Sequence, residues 1–197
     1  MTTDAIAEHL QDLPPTPVLH TARLTLRPLR VEDTATIQRR FPRWEIVRDL
    51  AAVVPWPYPG DGAKTFMGMT LEAMAAGAKC VWAITLNERI DDLVGIIELR
   101  ADGDAIRDHR GFWIDPAFQE LGLMTEAAER VTEFAFLDLG WPRLWLTNAE
   151  GNAGSHRIKE KQGAILVERV PGAFVSGPGV KIVWLLTREA WAARRQD

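Results

Sequence analysis

Residues 115–136, "DPAFQELGLMTEAAERVTEFAF", pass from a loop with a single glycine into a helical pattern with no capping side chain at its start. Met124, Ala127, Ala128, Val131 and Ala135 recur at helical spacing, and Glu126, Glu129, Arg130 and Glu133 fill the other side, so the helix is amphipathic and packs on a sheet. The first four backbone N–H groups of a helix have no internal partner, and they sit at the positive end of its dipole. A strand, a loop with Gly122 and a bare helix start together make a site for an anion, with phosphate or pyrophosphate the expected ligand. An ordinary strand-to-helix turn fits the same residues equally well. Two other phosphate motifs are missing: the loop lacks the three spaced glycines of a dinucleotide fingerprint, and no P-loop occurs. "GDGAKT" (60–65) only looks like one and reads as a surface turn.

The surrounding pattern says what must hold this loop. "TARLTLRPLR" alternates as a strand, "VEDTATIQRRF" reads as a short helix, and "VVPWPYPGDG" is a proline- and glycine-rich loop. "KTFMGMTLEAMAAGA" reads as a helix that Gly77 ends. "CVWAITLN" and "LVGIIELR" are β-branched, apolar strands joined by the polar turn "ERIDD"; "ADGDAIRD" is a loop and "HRGFWID" a further strand. After the helix that starts near residue 124 come the strand "PRLWLTN", a helix "AGSHRIKEKQ" stopped by Gly163, the strands "AILVERV" and "VKIVWLLT", and a short polar segment. The order predicts an α/β (α+β) domain over residues 20–197, a mixed sheet with helices packed on it. Residues 1–19, with prolines at 14, 15 and 17, are expected to form a flexible tail.

Composition narrows the function. The 197 residues suit one domain with a full core. A net charge of −4 argues against a nucleic-acid binder. Cys80, the single cysteine, excludes a disulfide framework and a cysteine metal cluster, so no metal is expected. No apolar run approaches the ~20 residues of a membrane span, and the first residues lack a signal-peptide core. A cytoplasmic protein with no membrane partner is the expectation.

Several of these stretches together resemble a known family. "GFWIDPAFQELGLMTEAAERVTEFAF" resembles the acetyl-CoA-binding signature of the GNAT N-acetyltransferase superfamily, and most of all its Rim-type branch of ribosomal-protein N-acetyltransferases. The signature Q/R-x-x-G-x-G/A falls on Gln119, Glu120, Leu121, Gly122, Leu123 and Met124, with Thr125 next. "NAGSHRIKEKQGA" (152–164) resembles the branch's second signature, N-x-x-S-x-x-x-x-E-K-x-G-F, through Asn152, Ser155, Glu160, Lys161 and Gly163. "TARLTLRPLRVED", "VPWPYPGDGAKTF" and "LLTREAW" extend the likeness over about residues 20–192. The resemblance implies a mostly antiparallel central sheet of about seven strands and a reaction that moves an acetyl group from acetyl-CoA to an amine. It makes the N–H groups of residues 120–125 the pyrophosphate cradle and Phe112, Trp113 and Ile114 the backbone partners of pantetheine. Glu120 and Leu121 depart from the glycine or basic residues usual there, which implies weakened coenzyme affinity.

The same resemblance distributes catalytic roles. Ser155 stands where the branch places a hydroxyl near the coenzyme sulfur, although a first-turn serine also bonds to backbone. Asn152 contacts pantetheine in the family and is equally a good N-cap. Glu98 is the first candidate base, since apolar neighbours on its strand could raise its pKa. His109 is the second, against the plainer alternative of an exposed strand-start histidine. An α-amine with a pKa of ~8 needs less help than a lysine at ~10.4, so the lack of one unmistakable base leans towards an α-amine acceptor. Glu45, Asp49 and Asp61 could attract a cationic substrate, and Trp44, Trp56 and Tyr58 could line an apolar wall. Lys161 either approaches the adenosine phosphate or is an ordinary exposed lysine. The acceptor, a protein N-terminus or a small amine, stays open. A degenerate acyl-CoA-binding or sensor protein is the alternative, and a homodimer follows only from the family.

Overall fold

A computed structural model describes residues 12–195. The expected tail lies partly outside that range, and the part inside it is packed. Leu13 and Leu19 are buried, Leu13 N–H donates to Gly77 O (2.8 Å), and the Trp82 indole N–H donates to Pro17 O (2.7 Å). The prolines that forbid a helix instead present carbonyls to buried donors.

The chain runs β1 (Leu19–His20), β2 (Leu24–Pro28), α1 (Thr34–Arg40), α2 (Trp44–Val47), α3 (Gly62–Ala75), β3 (Lys79–Leu86), β4 (Arg89–Arg100), α4 (Gly103–Ile106), β5 (Arg110–Ile114), α5 (Leu123–Glu133), β6 (Arg143–Ala149), α6 (Ala153–Gln162), β7 (Ile165–Phe174), β8 (Gly177–Thr187) and α7 (Arg188–Arg194). The polar "ERIDD" stretch is not all turn: β4 already begins at Arg89. "ADGDAIRD" carries α4, and a turn of wider π-type helix over Phe134–Asp138 follows α5. That turn lets Phe134, Ala135 and Phe136 all point inward.

The strands form two antiparallel sheets rather than one, ordered β1-β2-β3-β4-β5 and β6-β8-β7. Among the described residues the strands number eight, in keeping with the expected count of about seven. In the larger sheet β3 is buried on both faces. Cys80, Trp82 and Ile84 pack with α5 and β6 residues, while Val81 and Ala83 pack with α1, α2 and α3. Period-two alternation thus splits one apolar run between two cores.

The two sheets meet at the start of β5. His109 N–H donates to Trp145 O (2.7 Å), and Trp145 N–H donates to His109 Nδ1 (2.9 Å). Beyond this clip β5 and β6 belong to different sheets, so one edge of β5 is left without a strand. His109 is therefore neither an exposed strand-start residue nor a group lining a cleft. Its ring is 1% exposed and lies 5.2 Å from the Trp141 ring. Burial holds its pKa below the ordinary histidine value, outweighing Asp104 and Asp108.

At the far end, the tip of the β7–β8 hairpin reaches back over the loop after α2. Ala52 N–H donates to Ala173 O, Val175 N–H to Leu50 O (both 3.0 Å), and Ser176 N–H to Arg48 O (3.1 Å).

Replacing His109 with alanine removes a buried ring and strands the Trp145 N–H. A loss of about 2–4 kcal/mol is expected, read from urea denaturation midpoints.

Candidate active site

A cleft of about 580 Å³ lies where β5 parts from β6, lined by Phe112, Trp113 and Ile114, by Phe118–Glu120 and Gly122–Thr125, by Gly151–Ser155 and by Glu45, Ile46 and Arg48–Leu50. Of the residues expected to hold the coenzyme, only Leu121 is absent from this lining. Its side chain is exposed, while its carbonyl accepts a bond from the Arg23 guanidinium (2.9 Å).

The start of α5 is as bare as its sequence implies. Gly122 occupies the cap with a φ of 76° and no side-chain cap bond, a left-handed conformation that glycine adopts without a Cβ penalty. The first intrahelical bond runs from Glu126 N–H to Gly122 O (3.0 Å). The N–H groups of Leu123, Met124 and Thr125 therefore lie ahead of the ladder. Glu120 is also left-handed (φ 61°) and exposed.

Two arginines brace the loop, and neither was singled out from the sequence. Arg40 binds Asp115 (2.7 Å) at the loop's entry, where Asp115 also caps the turn by accepting from Ala117 N–H (3.0 Å). Burial would raise the Asp115 carboxyl, but these bonds hold it below its ordinary value. Arg23 grips the exit through Leu121 O and through Glu126 (2.7 Å). Glu126 further accepts from the Thr21 hydroxyl (2.6 Å) and the Arg23 N–H (2.9 Å).

Asn152 caps α6, its Oδ1 accepting from Ser155 N–H (3.0 Å). Ser155 lines the cleft, and its Oγ accepts a bond from Lys159 Nζ (2.7 Å). Lys159, 2% exposed, was missed in the sequence. The available signal was position: Ser155, Ile158, Lys159 and Gln162 share one helical face, and all four are buried. Burial and the nearby Arg110 push Lys159 down to about 7, against a smaller pull from Asp108. Arg110 is itself buried and pushed down to about 10. It donates to Thr132 Oγ1 (2.5 Å), Ala128 O (3.1 Å) and Gln162 Oε1 (2.8 Å).

A second cavity of about 430 Å³ shares Leu50, Phe112 and Trp113 with the first. Phe41, Val54, Tyr58, Phe66, Met69 and Ile96 wall it, and Asp61, Thr65, Lys79, Glu98 and Arg100 supply its polar groups. Tyr58 and Asp61 fall here, while Glu45 and Asp49 face the first cleft. Trp44 and Trp56 pack on each other (5.7 Å) and line neither cavity.

Glu98 departs from expectation. Burial would raise its carboxyl, but Arg100 and Lys79 overcome that and hold it below the ordinary glutamate value. Arg100 Nε donates at 2.8 Å and Lys79 Nζ at 3.3 Å. Gly111 makes room for this pair, since a Cβ there would come 2.5 Å from the Arg100 guanidinium.

With this geometry in place, comparison with known proteins assigns the chain. The family model described as acetyltransferase (GNAT) domain matches residues 23–165. The chain belongs to the GNAT acetyltransferase family. Its fold is that of Mycobacterium smegmatis RimJ in complex with CoA-disulfide (TM-score 0.74, 16% identity, 90% of this chain and 91% of that one). It is also that of the ribosomal-protein-S5-alanine acetyltransferase from Vibrio fischeri (0.69, 13%, 89% and 98%). A third similar fold is a spermidine N-acetyltransferase SpeG chimera from Vibrio cholerae and hSSAT (0.70, 17%, 87% and 99%). None of the curated proteins compared matches the chain. No helix among the described residues is long and apolar enough to cross a membrane.

The buried lysine sets a pH dependence for stability. Its folded pKa of about 7 lies below the ~10.4 of an unfolded lysine. Between those values the unfolded chain holds the extra proton, so this contribution to stability rises with pH across that window and is flat below it. Thermal midpoints of Lys159→Met should show a shallower rise from pH 7 to 9 than the parent protein.

Proposed function

We propose that the protein transfers the acetyl group of acetyl-CoA to a primary amine by direct attack of the amine on the thioester. The observation that carries this reading is the shared lining of the two cavities at Phe112 and Trp113. One cavity offers an unpartnered helix start and an open strand edge. The other offers an apolar chamber with few free charges.

In this reading the pyrophosphate meets the free N–H groups of Leu123, Met124 and Thr125, where both the dipole and the hydrogen bonds favour an anion. Contacts through N–H groups leave the exposed Glu120 side chain free to turn to solvent, so its charge weakens rather than abolishes the site. Pantetheine lies along the open edge of β5 at Phe112–Ile114, as an added strand would. A backbone N–H of that edge bears the charge that develops on the carbonyl oxygen. Asn152 keeps its cap and offers its amide N–H₂ to the donor. The Ser155 hydroxyl donates to the departing sulfur.

The acceptor side favours a monoamine. A polyamine needs several unpaired carboxylates, and the second cavity offers Asp61 while Glu98 is spent on Arg100 and Lys79. The walls of Phe41, Phe66 and Met69 suit an apolar group next to the amine, as on a peptide N-terminus. Because Glu98 is held ionised and weakly basic, the amine enters already neutral, which an α-amine of pKa ~8 achieves near physiological pH.

Calorimetric titration with acetyl-CoA, with CoA as control, should give micromolar affinity. Thiol release should then follow with peptides bearing an apolar first residue in preference to spermidine. Binding without turnover on any amine would support an acyl-CoA sensor instead, and no binding at millimolar donor would remove the reading. Ser155→Ala should lower kcat by roughly tenfold or more while acetyl-CoA affinity stays within about twofold.

A further inference from the structure

Lys159 has no role in the chemistry above, and the geometry of its pair with Ser155 is specific. Lys159 Nζ donates to Ser155 Oγ at 2.7 Å and more weakly to Ser155 O at 3.4 Å. The serine N–H is already committed to Asn152. Among the described residues no protein acceptor takes the Ser155 hydroxyl proton, and Ser155 faces the cleft. The ammonium is held between this oxygen and the face of Phe112, 5.6 Å from the ring centroid. Phe112 itself lines both cavities. The lysine is thus sealed behind the one side chain that would meet the leaving sulfur.

We propose that Lys159 is a positioning residue for the transfer reaction, aiming the Ser155 hydroxyl at the departing sulfur and replacing the proton that Ser155 gives up. This inference rests on the acetyl-transfer reading. The amine nitrogen bonds to the carbonyl carbon, and as the C–S bond breaks its electron pair goes to sulfur. The Ser155 O–H proton moves to the sulfur and a Lys159 N–H proton moves to Ser155 Oγ. The attacking amine nitrogen loses one proton to solvent, and Lys159 regains one from solvent after the thiol leaves. The step balances with no further reactant.

An ordinary lysine would be a poor donor here, being a weaker acid than a thiol of pKa ~8.5. The environment corrects this. Arg110 on β5 disfavours the charged lysine, Asp108 just before β5 favours it, and burial dominates both. From α5, Glu129 is engaged by Gln162 (3.1 Å) and Trp191 (2.8 Å) rather than by Lys159. At about 7, Lys159 gives its proton to a thiolate downhill.

The test compares the parent protein, Lys159→Met, Ser155→Ala and the double variant, using a peptide amine and acetyl-CoA. At saturating amine the parent kcat should fall above about pH 7 as Lys159 loses its proton, while the rise from deprotonation of the amine is carried by kcat/KM. Lys159→Met should lower maximal kcat about tenfold or more, keep the acetyl-CoA Kd within about threefold, and lack the falling limb. Adding Lys159→Met to Ser155→Ala should change kcat less than twofold, because the lysine acts through the serine. An unchanged kcat, a lowered kcat with the falling limb intact, or full additivity in the double variant would overturn the relay. Retained acetyl-CoA binding by calorimetry certifies that each variant is folded. Absence of turnover in the parent protein would instead overturn the transferase reading, and the relay with it.

Discussion

Everything that distinguishes this site depends on where two strands stop pairing. β5 and β6 are joined through His109 and Trp145 and then part into separate sheets. A β-strand edge exposes N–H and C=O groups that proteins normally cover. Here that edge faces a cleft into which the starts of α5 and α6 also point. The clip uses a side-chain nitrogen as the acceptor for a backbone donor, which requires the neutral ring with its proton on Nε2. Burial that keeps His109 unprotonated therefore preserves the hinge point of the cleft. The histidine shapes the cleft by where it ends the pairing.

A second theme is how charge is handled in the interior. The loop that begins α5 is not stiffened by its own sequence, and two of its residues adopt left-handed backbone. Arg40 and Arg23 grip its two ends from α1 and from the β1–β2 connection. Arg27 and Asp33 form a similar buried fork at 2.6 and 2.8 Å. Around Lys159 and Arg110 the arrangement is the opposite. Two basic groups are buried with hydroxyl, amide and carbonyl partners, and among the described residues no carboxylate forms an ion pair with either. Such a cluster is costly to bury. The charged form of each base is therefore the form that folding disfavours.

Much of the architecture was legible in the sequence because it rests on local rules. Gly77, Gly122 and Gly163 each sit at the helix boundary expected of them, all with positive φ. Asn152 caps the helix it precedes. Clustering of Gly122–Thr125, Asn152 and Ser155 around one cleft followed from family motifs rather than from any single residue pattern. What was not legible depended on partners far along the chain. Glu98 looked like a carboxyl among apolar neighbours, but its state is set by Lys79 from the adjacent strand and Arg100 two residues on. The separation into two sheets is invisible to strand periodicity, because β6 alternates in the same way whether or not β5 lies beside it. Lys159 draws no notice in the sequence, because its inward direction matters only once β5 is placed behind it.

The roof over the cleft is fastened by main-chain hydrogen bonds: Arg48, Leu50 and Ala52 on one side, Ala173, Val175 and Ser176 on the other. Backbone bonds of this kind are indifferent to the side chains they carry. Glu45 and Asp49, which face the first cleft from this region, can therefore be exchanged without lowering or lifting the ceiling above them. Natural drift can retune the charge at this mouth of the cleft while the frame around it keeps its shape, so this corner of the molecule is where a lineage would diversify first.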